Sequence, residues 1–217
     1  MAYGKGNSGK KWAVDVSQID CIQNHATLIS ACSGLVLADL NDEKDKSPSR
    51  IHGRYSRIKV NVTDYASKPS VFVSFYLTPS EIRRLHRRAY TSRENTEYKI
   101  YWFKRHEKTV VDAAARRVKA ESLSIVRCPW GMDFKTKSLR LDANGKPKRM
   151  GLPWLITIQT GSCTIDGKNF TAGKTASKKL TDEQFEDFLS NIVRHMEVWE
   201  MTFGCQLLRT VETMQEN

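Results

Sequence analysis

The sequence predicts an α+β protein in which two antiparallel sheets are each followed by a covering helix. Three features carry this expectation. Arg54 to Val62, Val71 to Leu77 and Glu97 to Arg105 alternate with the period of two that a strand with one buried face requires. Leu180 to Met196 places Phe185, Phe188, Leu189, Ile192, Val193 and Met196 at the three- and four-residue spacing of a helix laid along a core. The start of that helix also has a counterpart 103 residues earlier, since Leu77-Thr78-Pro79-Ser80-Glu81-Ile82 matches Leu180-Thr181-Asp182-Glu183-Gln184-Phe185. In each, a Thr followed three residues later by Glu or Gln is a capping box, where each side chain satisfies a backbone donor of the other. Both an internal duplication and chance repetition of a short motif would produce the match. The division expected is a basic tail over 1–11, a first sheet-plus-helix half over 12–92, and a second over 93–217 that ends in a long helix.

The 217 residues, 40% of them apolar, suffice to bury a core. Their net charge of +11 is unevenly spread: residues 1–179 hold 33 Lys and Arg against 16 Asp and Glu, whereas residues 180–217 hold 2 against 8. A basic body points to a polyanionic partner, although a solvated surface with no partner would carry the same charge. The acidic last helix is a candidate surface for a protein partner or a second copy of the chain. Cys21, Cys32, Cys128, Cys163 and Cys205 are odd in number and never paired as Cys-x-x-Cys, which reads as reduced thiols in a cytoplasmic protein. His25, His52, His86, His106 and His195 make no metal spacing with them, so no metal and no cofactor is expected. No apolar run approaches the roughly 18 residues of a membrane span, and the start lacks a signal-peptide core.

In chain order, Gly4-x4-Gly9-Lys10 superficially matches a phosphate loop, but it lacks the preceding strand and has Lys11 where Ser or Thr is needed. Trp12 to Asn24 is ambiguous, Ala26 to Leu40 reads as strand with Gly34 as a bend or bulge, and Asn41 to Arg50 reads as loop. Arg54 to Val62 directs Ile58, Val60 and Val62 to a core and Tyr55, Arg57, Lys59 and Asn61 to the other face. Val71, Val73, Phe75 and Leu77 alternate against Phe72, Ser74 and Tyr76 and run into a helix from Pro79 to Tyr90. That helix buries Ile82, Leu85 and Ala89 and turns Arg83, Arg84, Arg87 and Arg88 outward. Those arginines suit phosphate binding, a solvated face, or pairing with the acidic C-terminal helix.

Glu97 to Arg105 sets Tyr98, Ile100 and Trp102 against Lys99, Tyr101, Phe103 and Arg105. Rings that stack bases, flanked by cations that hold phosphates, are what a single-strand platform requires; rings packed under another layer would give the same pattern. Thr109 to Ala120 is Ala-rich and predicts a short helix, and Leu123 to Cys128 a strand. The interval 127–149 holds seven cations, Arg127, Lys135, Lys137, Arg140, Lys146, Lys148 and Arg149, against Asp133 and Asp142, with a hairpin expected at Asp142-Ala143-Asn144-Gly145. Leu152 to Thr160 and a short piece near Lys168 to Thr171, joined at Asp166-Gly167, complete the second sheet.

Lys179 to Asn191, KLTDEQFEDFLSN, together with Arg57 to Leu85, resembles the strand-to-helix junction of the small coactivators named positive cofactor four. The doubled arrangement resembles that of the plant Whirly proteins. The resemblance implies twisted antiparallel sheets backed by helices that bind single-stranded DNA through sheet-borne Lys, Arg and aromatic residues. The function expected is therefore non-catalytic binding of single-stranded DNA, or RNA, through Tyr55, Arg57 and Lys59 in the first half and Lys99, Tyr101, Phe103, Lys135, Lys137 and Arg140 in the second. Two other classes stay open. Asp64 with Glu97 and Lys99 matches the carboxylates and lysine of a Mg²⁺-dependent nuclease. A small regulator or inhibitor docking on a nucleic-acid-binding protein, as in phage counter-defence, would also be basic.

Overall fold

A computed structural model describes residues 17–39, 41–44, 51–91, 98–128, 132–133, 138–148 and 150–215. Four strands, Gln18–Gln23 (β1), Thr27–Gly34 (β2), Arg57–Asp64 (β3) and Val71–Leu77 (β4), pair antiparallel in chain order, and helix Pro79–Thr91 (α1) follows after Thr78 alone. The second half repeats this order with Tyr98–Asp112 (β5), Arg117–Arg127 (β6), Trp154–Thr164 (β9) and Thr171–Leu180 (β10), then helix Asp182–Gln215 (α2). A two-stranded ribbon, Met132–Asp133 (β7) and Ser138–Leu139 (β8), is inserted between β6 and β9. The predicted α+β class with two antiparallel sheets, each followed by a helix, is the observed one.

Register explains why each sheet has one apolar face. Ile29, Val62 and Val73 stand opposite one another across three strands, as do Ala31, Val60 and Phe75. In the second sheet the rows are Ile100, Ile125 and Ile156, and Trp102, Leu123, Ile158 and Ala176. These faces meet Ile82, Leu85 and Ala89 of α1 and Phe185, Phe188, Leu189, Ile192 and Met196 of α2 in one buried cluster. Both halves therefore contribute to the same core. Lys178 lies on the inner face of β10 with 2% of its surface exposed, and its Nζ donates to the Thr27 carbonyl at 2.9 Å. Burial lowers its amine pKa, and the bond ties the last strand to the start of β2.

Both predicted capping boxes form. Thr78 N donates to Glu81 Oε2 at 2.7 Å while Glu81 N donates to Thr78 Oγ1 at 3.2 Å. Thr181 N donates to Gln184 Oε1 at 3.2 Å while Gln184 N donates to Thr181 Oγ1 at 3.0 Å. Beside the second box, Asp182 Oδ1 accepts from Arg127 Nε at 2.9 Å and from Trp154 Nε1 at 2.8 Å, and Oδ2 accepts from Arg127 Nη2 at 3.1 Å. Trp154 in turn packs on Phe185 with centroids 4.0 Å apart. The helix start is thus fixed by polar and apolar contacts together.

Three elements differ from expectation. Thr109 to Ala120 forms no helix: β5 continues to Asp112, residues 113–116 turn, and β6 begins at Arg117. An isolated helix of 12 residues is marginal in water, whereas Val110 opposite Val118 and Asp112 opposite Arg117 extend an existing ladder. The turn is closed by Asp112 Oδ1 accepting from Ala115 N at 3.0 Å, with Arg116 at φ 50°. The last strand is also displaced: residues 168–170, expected as strand, are not, and β10 runs from Thr171 to Leu180, because pairing with β9 overrides the weak strand preference of Ala, Gly, Ser and Lys. Gly34 ends β2 rather than bulging it; the irregularity of this sheet lies between Gln18 and Asp20.

Gly161 is required by that last pairing. A Cβ there would stand 2.1 Å from the Thr171 carbonyl oxygen, beside the register shift between Ala172 and Lys174. Gly161→Ala is expected to destabilise the fold by about 2 kcal/mol, since backbone on both sides must shift. Urea unfolding checks this, and a loss under about 0.5 kcal/mol would mean that the bulge yields freely.

Candidate nucleic-acid interface

The outer face of the second sheet is built by the residues that alternate with its core. Its rows are Lys99, Val126, Leu155 and Lys179; then Tyr101, Ser124, Thr157 and Ser177; then Phe103, Ser122, Gln159 and Thr175. Tyr101 is 55% exposed, and exposed Lys99 and Lys179 flank the neighbouring row. The floor beside Tyr101 is made of small hydroxyls, with Thr157 Oγ1 and Ser177 Oγ 2.9 Å apart. A floor of small polar side chains beside an exposed ring suits a base stacked on Tyr101. Phe103 differs: it meets Phe170 edge-on with centroids 5.6 Å apart and packs against buried Val118, Ala120 and Cys163. It is half core, whereas Tyr101 is available.

The first-half set does not form one strand face. Tyr55 lies in the turn before β3, not on the strand; Arg54 covers its ring at 4.6 Å and donates to its hydroxyl at 2.6 Å. The alternation fails there because the chain turns at 54–55 before Arg57 begins the ladder. Arg57 Nη1 donates to the Arg54 and Ser56 carbonyls at 2.8 and 2.7 Å. Lys59 does stand on the outer face, opposite Tyr76 in register, with Nζ 5.7 Å from the Phe72 ring. Asn61, expected on the same exposed face, is buried at 5% and donates to Ser30 Oγ at 3.2 Å.

Lys135 and Lys137 lie outside the described residues. Arg140 is exposed at the base of the expected hairpin, where Lys148 N donates to its carbonyl at 2.7 Å and Gly145 N donates to the Asp142 carbonyl at 3.1 Å. Gly145 takes φ 71°, which a side chain would oppose. Arg127, counted among the basic interval's cations, is 4% exposed and held by Asp182, so it belongs to the core junction. Of the α1 arginines, Arg83 pairs with Glu200 of α2, which His52 Nε2 also meets at 2.6 Å, and Arg84 stands 5.9 Å over Trp102. Burial alone would raise the Glu200 pKa; the bonds from Arg83 and His52 outweigh it and hold the carboxyl below its usual range.

Asp64 serves a turn. Its Oδ1 accepts from Ala66 N at 2.9 Å and its Oδ2 from the Ser67 hydroxyl at 2.9 Å, and this last bond leads the causes that lower its pKa. Glu97 lies outside the described residues, and Lys99 is on the other sheet. Among the described residues no group of three or more His, Cys, Asp and Glu could hold a metal ion, and no helix is long and apolar enough to cross a membrane.

Sequence reasoning missed Phe72 and Tyr76, which are 53% and 43% exposed on the outer face of β4. The signal is present: the alternation that buries Val73, Phe75 and Leu77 leaves two rings on the other side. It also missed Lys179, because the strand expected near Lys168 to Thr171 ends well before it. Compared with protein-family models, curated proteins and solved structures, the chain matches none of them.

Proposed function

We propose that this chain binds single-stranded nucleic acid, DNA in the first place, on the outer face of its second sheet and does not cleave it. The observation that carries the reading is Tyr101, 55% exposed over a floor of small hydroxyls, with exposed Lys99 beside it on β5 and exposed Lys179 at the far edge of the same face. Stacking on an exposed ring needs unpaired bases, and exposed lysines supply phosphate contacts without selecting sequence. The repeated order of four strands and a helix supports, as part of the same proposal, kinship with the positive-cofactor-four and Whirly folds. Val198 and Met201, 51% and 70% exposed on α2, are where a protein partner or second copy would dock.

Fluorescence anisotropy with matched oligonucleotides tests the proposal. A single strand is expected to bind more tightly than the duplex of equal length, with no Mg²⁺-dependent cleavage of either. Equal affinity for both, or none for either, would remove the platform reading and favour docking on another protein. Cleavage abolished by Asp64→Ala and by Glu97→Ala would make the chain a nuclease.

A further inference from the structure

Outside the Tyr101 face, β4 is the edge of the first sheet, and beside it the inner face of the second sheet continues past the core as Lys119, Glu121, Thr160 and Lys174. With Phe72 and Tyr76 these residues line an open cleft of about 260 Å³. Glu121 is the unusual member, a carboxylate whose side chain is only 7% exposed. Its Oε1 accepts from Lys119 Nζ at 2.8 Å, and its Oε2 stands 3.4 Å from His106 Nε2. A carboxylate kept at the wall of a cleft whose lining includes two exposed rings is costly to bury, and it only accepts hydrogen bonds.

We propose that this cleft holds one guanine base of a bound single strand, an inference that rests on the strand-binding reading above. Among the bases, guanine alone presents two adjacent donors on its pairing edge, N1–H and the N2 amino group, which match the two oxygens of a carboxylate. Adenine and cytosine set one amino donor beside a ring acceptor, and thymine or uracil sets its single N–H between two carbonyls, so Glu121 would face a repelling lone pair in each. Phe72 or Tyr76 supplies the stacking surface, Lys119 holds the carboxylate in place, and Lys174 supplies a phosphate contact. The volume lies below the roughly 300–1,000 Å³ of sites for larger ligands and suits a single nucleotide.

The test is anisotropy with an all-thymidine oligonucleotide and with three that carry a single central guanine, adenine or cytosine. The guanine oligonucleotide is expected to bind about tenfold more tightly than the others, as a charge-assisted pair of hydrogen bonds warrants. Glu121→Gln should abolish that preference while leaving the all-thymidine affinity unchanged. Tyr76→Ala, which removes an exposed ring, should weaken the guanine oligonucleotide most and secures the test should Glu121→Gln fold poorly. Equal binding of all four, or a guanine preference that survives both substitutions, overturns the cleft and leaves the Tyr101 face standing. Binding of none overturns both readings together.

Discussion

Asp182→Ala is expected to cost the fold about 3 kcal/mol, among the largest losses available from one side chain away from the core interior. The carboxylate joins three elements at once: it accepts two bonds from Arg127 of β6 and one from the Trp154 indole of β9, and it opens α2. Arg127 is 4% exposed, so removing the carboxylate takes two charge-assisted bonds from a buried guanidinium, which costs more than losing a surface pair. Asp182 itself is 43% exposed, and water discounts the figure from the upper end of that range. The favourable interaction of a carboxylate with the first turn of a helix is lost as well. Thermal unfolding should shift down by about 6 to 12 °C for a chain of this size. Asp182→Asn, which keeps one acceptor, should fall between. A shift under about 2 °C would mean that water replaces the carboxylate around Arg127, and the junction would not be the fixed point described.

Tyr101→Ala and Phe103→Ala are expected to fail in different ways although the residues are two apart on one strand face. Tyr101 is mostly in solvent, so its loss should leave the melting temperature nearly unchanged and weaken single-strand binding by about 1 to 3 kcal/mol. The salt dependence should stay as it was, because stacking releases no counterions. Phe103 packs on Phe170 and the small cluster around Cys163, so its loss should lower stability first. Lys99→Ala or Lys179→Ala should instead reduce the salt slope by about 0.7 for each phosphate contact removed. A Tyr101→Ala protein that binds at full strength would move the interface away from this face.

What the sequence made legible were features that short-range physics decides. Both capping boxes, the buried faces of β3 and β4, and the hairpin closed by Gly145 follow from spacing and backbone preference over a few residues. What stayed hidden depended on pairing between distant segments. Ala113 to Arg116 looks helical until Val110 is seen opposite Val118, and Thr171 to Leu180 has no strand signature apart from its partner β9. The site followed the same rule. Alternation identifies Lys99 and Tyr101, and it misplaces Tyr55 because the pattern runs two residues beyond the start of β3. Glu121 drew no attention, since nothing local shows that the edge of another sheet will close over it.

The shared core has a consequence for synthesis. Within each half most paired strands are consecutive in sequence, so each meander can form early from local contacts. Ile29, Val62, Val73 and Phe75 nevertheless share their cluster with Ile125, Ile156, Ile158 and residues of α2. A ribosome-bound chain complete through α1 has its first sheet in place while the partners of that apolar face from the second sheet and α2 are still unmade. Until residues near 196 emerge, that face is open to chaperones or to other nascent chains, so yield in the cell should depend on the rate at which the second half is translated.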